Sequence, residues 1–257
     1  GKVRMKEGTC AFASLIFLEA FLMTLYSYFA LIIFTFLLIF TFRVYFLFFG
    51  KTEFNPVKFI ARVAIFGAIS SILYVVPFFN FQLPFVPPFL SIHFDEIPAF
   101  VCGFAYGPIS GIAVLAIKTI VKLPFSSSLC VGEFGDFLLS SIYVGAATFI
   151  YSKKRNLKGV GLGFLISSFV QIGCALLVNV YALIPFYLWM LKIEPMAMLG
   201  IMNKANPLIV DIKWSYGLLA VVPFNAIKDI LVIIITFIVY RSIHVFLRFT
   251  PKKKTRP

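Results

Sequence analysis

The sequence predicts an all-α integral membrane protein: a core of six transmembrane helices preceded by one or two further hydrophobic helices. Three observations carry this. Hydrophobic residues make up 61% of the 257 residues and charged ones only 13%, with a mean hydropathy of +1.00, too little charge to cover a water-soluble domain of this length. The apolar residues come in unbroken runs such as Leu31 to Phe40, interrupted only by Thr35, not in the alternation of a barrel strand facing lipid. The charges stand between the runs, in short clusters such as Lys153, Lys154, Arg155 and Lys252, Lys253, Lys254, the pattern of membrane flanks.

A bilayer core about 30 Å thick takes roughly 20 helical residues, so each run can be tested by length. Cys10 to Phe49 is apolar apart from Glu19, Arg43 and a few hydroxyls. As one helix it would be about 60 Å long, so residues 1–50 are either an overlong helix or a tight hairpin turning near Ser27. A cleaved leader would be shorter and would end in small residues. The core occupies residues 51–257. Its spans are Val57–Phe79, Ile97–Tyr106, Ile109–Leu123, Val131–Tyr151, Val160–Leu191 and Tyr216–Phe249, separated by charges, Gly or Pro. Between the first two lies a loop dense in Pro and aromatics, Asn80 to Phe89, which excludes a continuous helix and favours a rigid extended segment.

Loop charges orient the bundle. Residues 153–158 carry four positive charges and the tail from Arg241 to Arg256 carries six, and two helices separate them, so both fall on the cytoplasmic side. The Pro-aromatic loop and the loop after Leu123 have no Lys or Arg until the next span and fall outside. The net charge of +13 is therefore a matter of topology, with no nucleic-acid partner implied. Cys10, Cys102, Cys130 and Cys174 are widely spaced and read as small buried residues, with neither metal spacing nor a disulfide framework. Gly50, Lys51, Thr52 has Tyr45 where a phosphate-binding loop needs its first Gly, and Gly159, Gly161, Gly163 lack the dinucleotide spacing. No ATPase of its own is expected. His93, Asp95, Glu96 is a weak candidate for metal or acid-base chemistry, because two histidines in the whole chain make a His-rich centre improbable.

Ionisable groups inside spans cost about 2.5 to 3.5 kcal/mol each on insertion scales, so they mark function by default. Asn225 and Lys228, three apart after Pro223, share one face of the last helix. Lys118 and Lys122 share a face of theirs, as do Glu133 and Asp136, while Gln171 and Asn179 interrupt the fifth span. The topology puts most of these in the outer half of the membrane, under the Pro-aromatic loop. A polar pocket open to the outside, with walls from Phe85, Phe89 and Tyr187, suits a planar, hydrogen-bonding small molecule better than an inorganic ion.

The run Pro84 to Pro98 (PFVPPFLSIHFDEIP), then Gly103 to Gly111 (GFAYGPISG), Lys118, Val131 to Phe137 (VGEFGDF), Asn179 with Leu183 to Tyr187, and Pro223 to Lys228 (PFNAIK) resembles the riboflavin-specific substrate-binding subunits of energy-coupling factor (ECF) transporters. The resemblance covers about four fifths of the chain, from Val57 onward. It implies a six-helix subunit, with no intrinsic cofactor, that binds riboflavin from outside and docks on one transmembrane coupling subunit and two ATPases. Carried over by motif, Asn179, Asn225 and Lys228 would hydrogen-bond the flavin. The loop around Phe89 and Leu90 would cover it and the loop before Glu133 would line the entrance, with Glu133 and Asp136 as further substrate-binding candidates. Ala64 and Ala68, small residues four apart, would let the first helix approach the coupling subunit. The chain departs from the family pattern at His93, at Asp95–Glu96 and at Asp136, and residues 1–50 have no counterpart in the six-helix core.

Three other readings stay open. One is a sibling subunit for folate, pantothenate or cobalamin; the carboxylates of folate and pantothenate would favour cationic groups, which Lys118, Lys122 and Lys228 supply. An ion-coupled carrier would work without partners but should show an inverted repeat, which is not found. A membrane enzyme would use Glu133, Asp136 and His93, yet no nucleophile with a positioned base is visible.

Overall fold

The computed structural model describes residues 55–126 and 130–247. The expectations for residues 1–50 and for the basic tail beyond residue 247 lie outside the described residues.

Helix α1 (Pro56–Val75) starts where Asn55 caps it, the side chain accepting from the Lys58 amide at 3.2 Å with Pro56 in the first turn. It stops before Pro77, so the helix predicted to reach Phe79 ends four residues earlier in a single turn, Pro77–Phe79. The Pro-aromatic loop is not a simple extended segment. Strands β1 (Phe81–Gln82) and β2 (Ser91–Ile92) pair antiparallel, with Phe81 opposite Ile92 and Gln82 opposite Ser91. Pro84, Pro87 and Pro88 fall in the turn, where a missing N–H breaks no ladder bond. Gln82 Nε2 closes the turn by donating to the Pro88 carbonyl at 2.9 Å.

Helix α2 (Glu96–Tyr106) has 11 residues, nine of them buried. At about 16 Å it is shorter than a bilayer core and is wrapped by its neighbours instead of facing lipid. Gly107, at φ 104°, makes the reversal that a side chain would strain, and Pro108 opens α3 (Pro108–Lys122). A Cβ on Gly111 would lie 2.9 Å from the Ala99 carbonyl oxygen and 2.8 Å from a Val144 methyl, which shows how closely α2 and α3 approach. Gly111→Leu is therefore expected to destabilise the bundle by about 1 to 3 kcal/mol or more, read as a lowered midpoint of thermal unfolding in detergent.

Helix α4 is Val131–Lys153. Helix α5 starts at Leu157, capped by Asn156. It runs 34 residues to Met190, passing through a π-helical turn at Asn179–Leu183. Helix α6 (Pro195–Ala205) occupies what the sequence reading left as a loop. Helix α7 opens as Trp214–Tyr216, passes through a second π turn at Gly217–Val221, and continues as Val222–Leu247. Each π turn is followed two residues on by a proline, Pro185 and Pro223. A proline inside a helix has no N–H to give and crowds the carbonyl four residues back, and a one-residue bulge accommodates both.

Among the described residues, α1, α3, α4, α5 and α7 are long and apolar enough to cross a membrane. With the short α2 they form the predicted six-helix core. Ile60, Ile65, Ile69 and Ile72 of α1 and Leu165 and Phe169 of α5 are exposed, as lipid-facing residues must be. One end is filled by stacked and edge-on rings of Phe100, Phe104, Tyr143 and Phe164. The other end is hollow.

Candidate functional site

That end holds a cavity of about 530 Å³. Its floor and sides come from α4, α5 and α7, and its cover from the β-hairpin and α6. All seven residues expected to meet a ligand line it: Phe89, Leu90, Glu133, Asp136, Asn179, Asn225 and Lys228. They come from four separate stretches of chain.

The two π turns explain the positions of the asparagines. Asn179 begins the first bulge, and Asn225 lies just past Pro223 after the second. Asn179 Nδ2 donates to the Ala175 carbonyl at 2.9 Å and its Oδ1 accepts from the Tyr216 hydroxyl at 3.2 Å. Asn225 Nδ2 donates to the Val221 carbonyl at 2.8 Å and its Oδ1 accepts from Gln171 Nε2 at 2.9 Å. These bonds fix both amides, and each amide keeps a second N–H and a second lone pair. Gln171 Oε1, on the same wall, accepts no hydrogen bond among the described residues.

Behind the wall lies a network of charges. Lys228 Nζ donates to Glu96 Oε1 at 2.8 Å and stands 3.6 Å from Asp136 Oδ1. Glu96 Oε1 also accepts from Ser140 at 2.6 Å. Lys118, fully buried, donates to Asp95 and, at 2.6 Å, to Asp136 Oδ2, and its ammonium lies 4.3 Å from the centre of the Tyr74 ring. The acids of the His93, Asp95, Glu96 run are thus committed to lysines. Their role is to neutralise buried ammoniums and to tie α2 to α3, α4 and α7.

His93 is half-buried on the cavity wall, 3.0 Å from Ser91 Oγ through Nε2. Burial, helped by the nearby Lys228 and Lys118 ammoniums and opposed by Asp136, pushes its imidazole down to about 4. A base whose folded value is depressed binds fewer protons folded than unfolded, so its contribution is complete above about pH 6.5 and is lost as pH falls toward 4. Stability should fall through that window. His93→Gln should flatten the fall, as measured by unfolding midpoints at pH 7, 6 and 5.

The structure places other expected residues differently. Phe85 does not line the cavity; it sits on the outer turn of the hairpin, 37% exposed. Tyr187 does line it. Glu133 Oε2 accepts from Ser126 Oγ at 2.8 Å, and the Lys122 ammonium lies 5.3 Å from the Tyr74 ring. Ala64 and Ala68 are exposed on the outward face of α1. Sequence reasoning missed Tyr74, Tyr216 and the α6 residues Met198 and Ile201, all on the wall. A signal for α6 was present: Pro195 at its start, Met198 and Met202 one turn apart, and Lys204 in its last turn.

Residues 58–240 match the family described as "ECF transporter, substrate-specific component". A riboflavin transporter, RibU, of Staphylococcus aureus (strain TCH60) is 29% identical over 187 residues, which is 73% of this chain and 92% of its own length. A riboflavin transporter, FmnP, of Bacillus subtilis (strain 168) is 25% identical over 185 residues, 70% of this chain and 90% of its own. A structure described as "Structure and mechanism of the S component of a bacterial ECF transporter" superposes with a TM-score of 0.59 at 28% identity, covering 75% of this chain and 99% of that one. With the match spanning all six core helices, the chain belongs to the family of substrate-specific components of ECF transporters.

Proposed function

We propose that this chain is the membrane subunit that captures riboflavin from outside the cell and delivers it to an ATP-driven coupling module. The observation that supports it best is the convergence of seven residues from four separate stretches of chain on one cavity of about 530 Å³, a size typical of small-molecule sites. The wall offers what a flavin asks for. Phe89 and Tyr187 supply aromatic faces for a planar tricyclic ring. Asn179, Asn225, Gln171 and Lys228 supply fixed donors and acceptors for its carbonyls, imide and ribityl hydroxyls. In this reading Leu90 and Phe89 cover the ligand, Glu133 lines the entrance, and Asp136 accepts from it.

The basic connector at residues 153–158 lies cytoplasmic and the cavity opens outward, with the C-terminus cytoplasmic. Ala64 and Ala68 on the exposed face of α1 meet one transmembrane coupling subunit, which carries two ATPases, since this chain has none of its own. We assign the hydrophobic sequence of residues 1–50 to an extension that precedes the core at 51–257. Purified in detergent, the protein should carry the visible absorption of a flavin, or acquire it on mixing, with quenching of flavin fluorescence. Absence of both sinks the proposal. In proteoliposomes lacking the coupling module it should bind riboflavin without accumulating it, and Ala64→Trp should leave that binding intact while abolishing uptake when the module is present.

A further inference from the structure

We propose that the cover of the cavity is itself a membrane element. Helix α6 and the loop joining it to α7 lie in the interfacial layer of the bilayer, with Leu208 and Val210 among phospholipid chains and Trp189 and Trp214 at the level of the headgroups. The occupant of this surface is lipid, whichever small molecule the cavity takes.

A connector surrounded by water should turn its large apolar side chains inward. Helix α6 does so on one face, where Met198 and Met202 are buried. The loop after it does the reverse: Leu208 and Val210 are 69% and 73% exposed on either side of Ile209, which is fully buried. They are not at the tip of a loose segment. Asn203 Nδ2 donates to the Pro207 and Ile209 carbonyls, both at 3.2 Å, and Ser215 Oγ accepts from the Val210 and Asp211 amides at 3.0 and 2.8 Å. The loop thus meets several of its own backbone hydrogen-bonding needs, which a segment pressed into lipid must do. Lys204 and Lys213, both exposed, flank the two apolar residues, the arrangement in which cations reach headgroups beside an inserted apolar stretch. The acid between them, Asp211, is held by its own loop, accepting from the Lys213 and Ser215 amides at 2.8 and 3.1 Å.

The two tryptophans of the chain frame this segment. Trp189, near the end of α5, is 75% exposed, and Trp214, the first residue of α7, is 48% exposed and packs edge-on to Tyr181 with ring centres 6.1 Å apart. An exposed indole is best placed at a membrane interface, its body against hydrocarbon and its N–H among headgroups. Helix length puts both rings there. Trp189 lies 31 residues after Lys158 in the basic connector, and Trp214 lies 27 residues before Arg241. At 1.5 Å per residue these spans are roughly 46 and 40 Å, and a bilayer with its headgroup layers measures about 40–45 Å. With the cations at one surface, the indoles reach the other, and the loop between them lies at their level.

Because both tryptophans stand on this surface, the protein's own fluorescence reads the contact without any substitution. The full-length protein is placed in phosphatidylcholine vesicles whose acyl chains carry bromine, which quenches an indole on contact, either near the glycerol or near the chain ends. Against unbrominated vesicles, bromine near the glycerol should remove more of the emission than bromine near the chain ends, and iodide in the water should remove little. Leu208→Trp, in a chain also carrying Trp189→Phe and Trp214→Phe, reads the loop itself and should lose emission to brominated lipid but not to iodide. Quenching of either protein by iodide in place of bromine puts that part of the cover in water. Quenching by neither puts it under protein, whether residues 1–50, a second copy or another chain. Stronger quenching from the chain ends puts the indoles too deep for an interface. Each of these three results overturns the inference and leaves the proposed ligand untouched.

Discussion

Replacing Lys228 by Met should weaken flavin binding by about 100-fold or more, the cost expected when one member of a buried, hydrogen-bonded charge pair is truncated. Lys228 lies three residues after Asn225, its ammonium on the cavity wall and bonded to Glu96 at 2.8 Å. Removing the lysine takes away a donor on the cavity wall. It also strands Glu96, which is 1% exposed and would retain only Ser140 as an identified donor. These two losses can be separated. Pairing Lys228→Met with Glu96→Gln removes the stranded charge, so the double variant should unfold near the parent's temperature while still binding flavin poorly. Parent-like affinity in the single variant would show that Lys228 does not meet the ligand.

Lys118→Met should have the largest effect on stability, about 3 to 5 kcal/mol, because it leaves buried carboxylates without their counter-charge. Lys118 joins Asp95 at the N-terminus of α2 to Asp136 on α4. No water reaches this point to take over, since Lys118 and Asp95 expose 0% and 1% of their side chains. Thermal unfolding in detergent should register the loss directly, and adding Asp95→Asn should recover part of it. An unchanged midpoint in Lys118→Met would mean that the network contributes nothing net, as some buried ion pairs do when a well-packed apolar group replaces them.

Both substitutions act on residues that sequence reading singles out, Lys228 as a donor toward a ligand and Lys118 as a cation for a ligand's carboxylates, and the structure commits Lys118 to Asp95 and Asp136 instead. The helices were legible because a lipid-facing helix must be apolar along its whole length, and Pro, Gly and charge mark where each run stops. Gly107–Pro108 and Asn55–Pro56 illustrate this at the start of α3 and α1. The convergence of Glu133, Asp136, Asn179, Asn225 and Lys228 was legible for a related reason. Polar groups inside a membrane are costly, and the loop charges place these on the same side of the bilayer.

What the sequence determined by itself is therefore the bundle, its order and the depth at which polarity gathers, because the bilayer constrains each helix separately. The tertiary structure decided which charges cancel. The pairs Asp95–Lys118 and Glu96–Lys228 lie 23 and 132 positions apart, and no local pattern states that the two acids would claim the two lysines. It also decided that α6 and a β-hairpin would cover the cavity, and that bulges before Pro185 and Pro223 would turn two asparagines toward it. These depend on how helices meet, and contact between distant segments is set by packing, which one-dimensional periodicity does not encode.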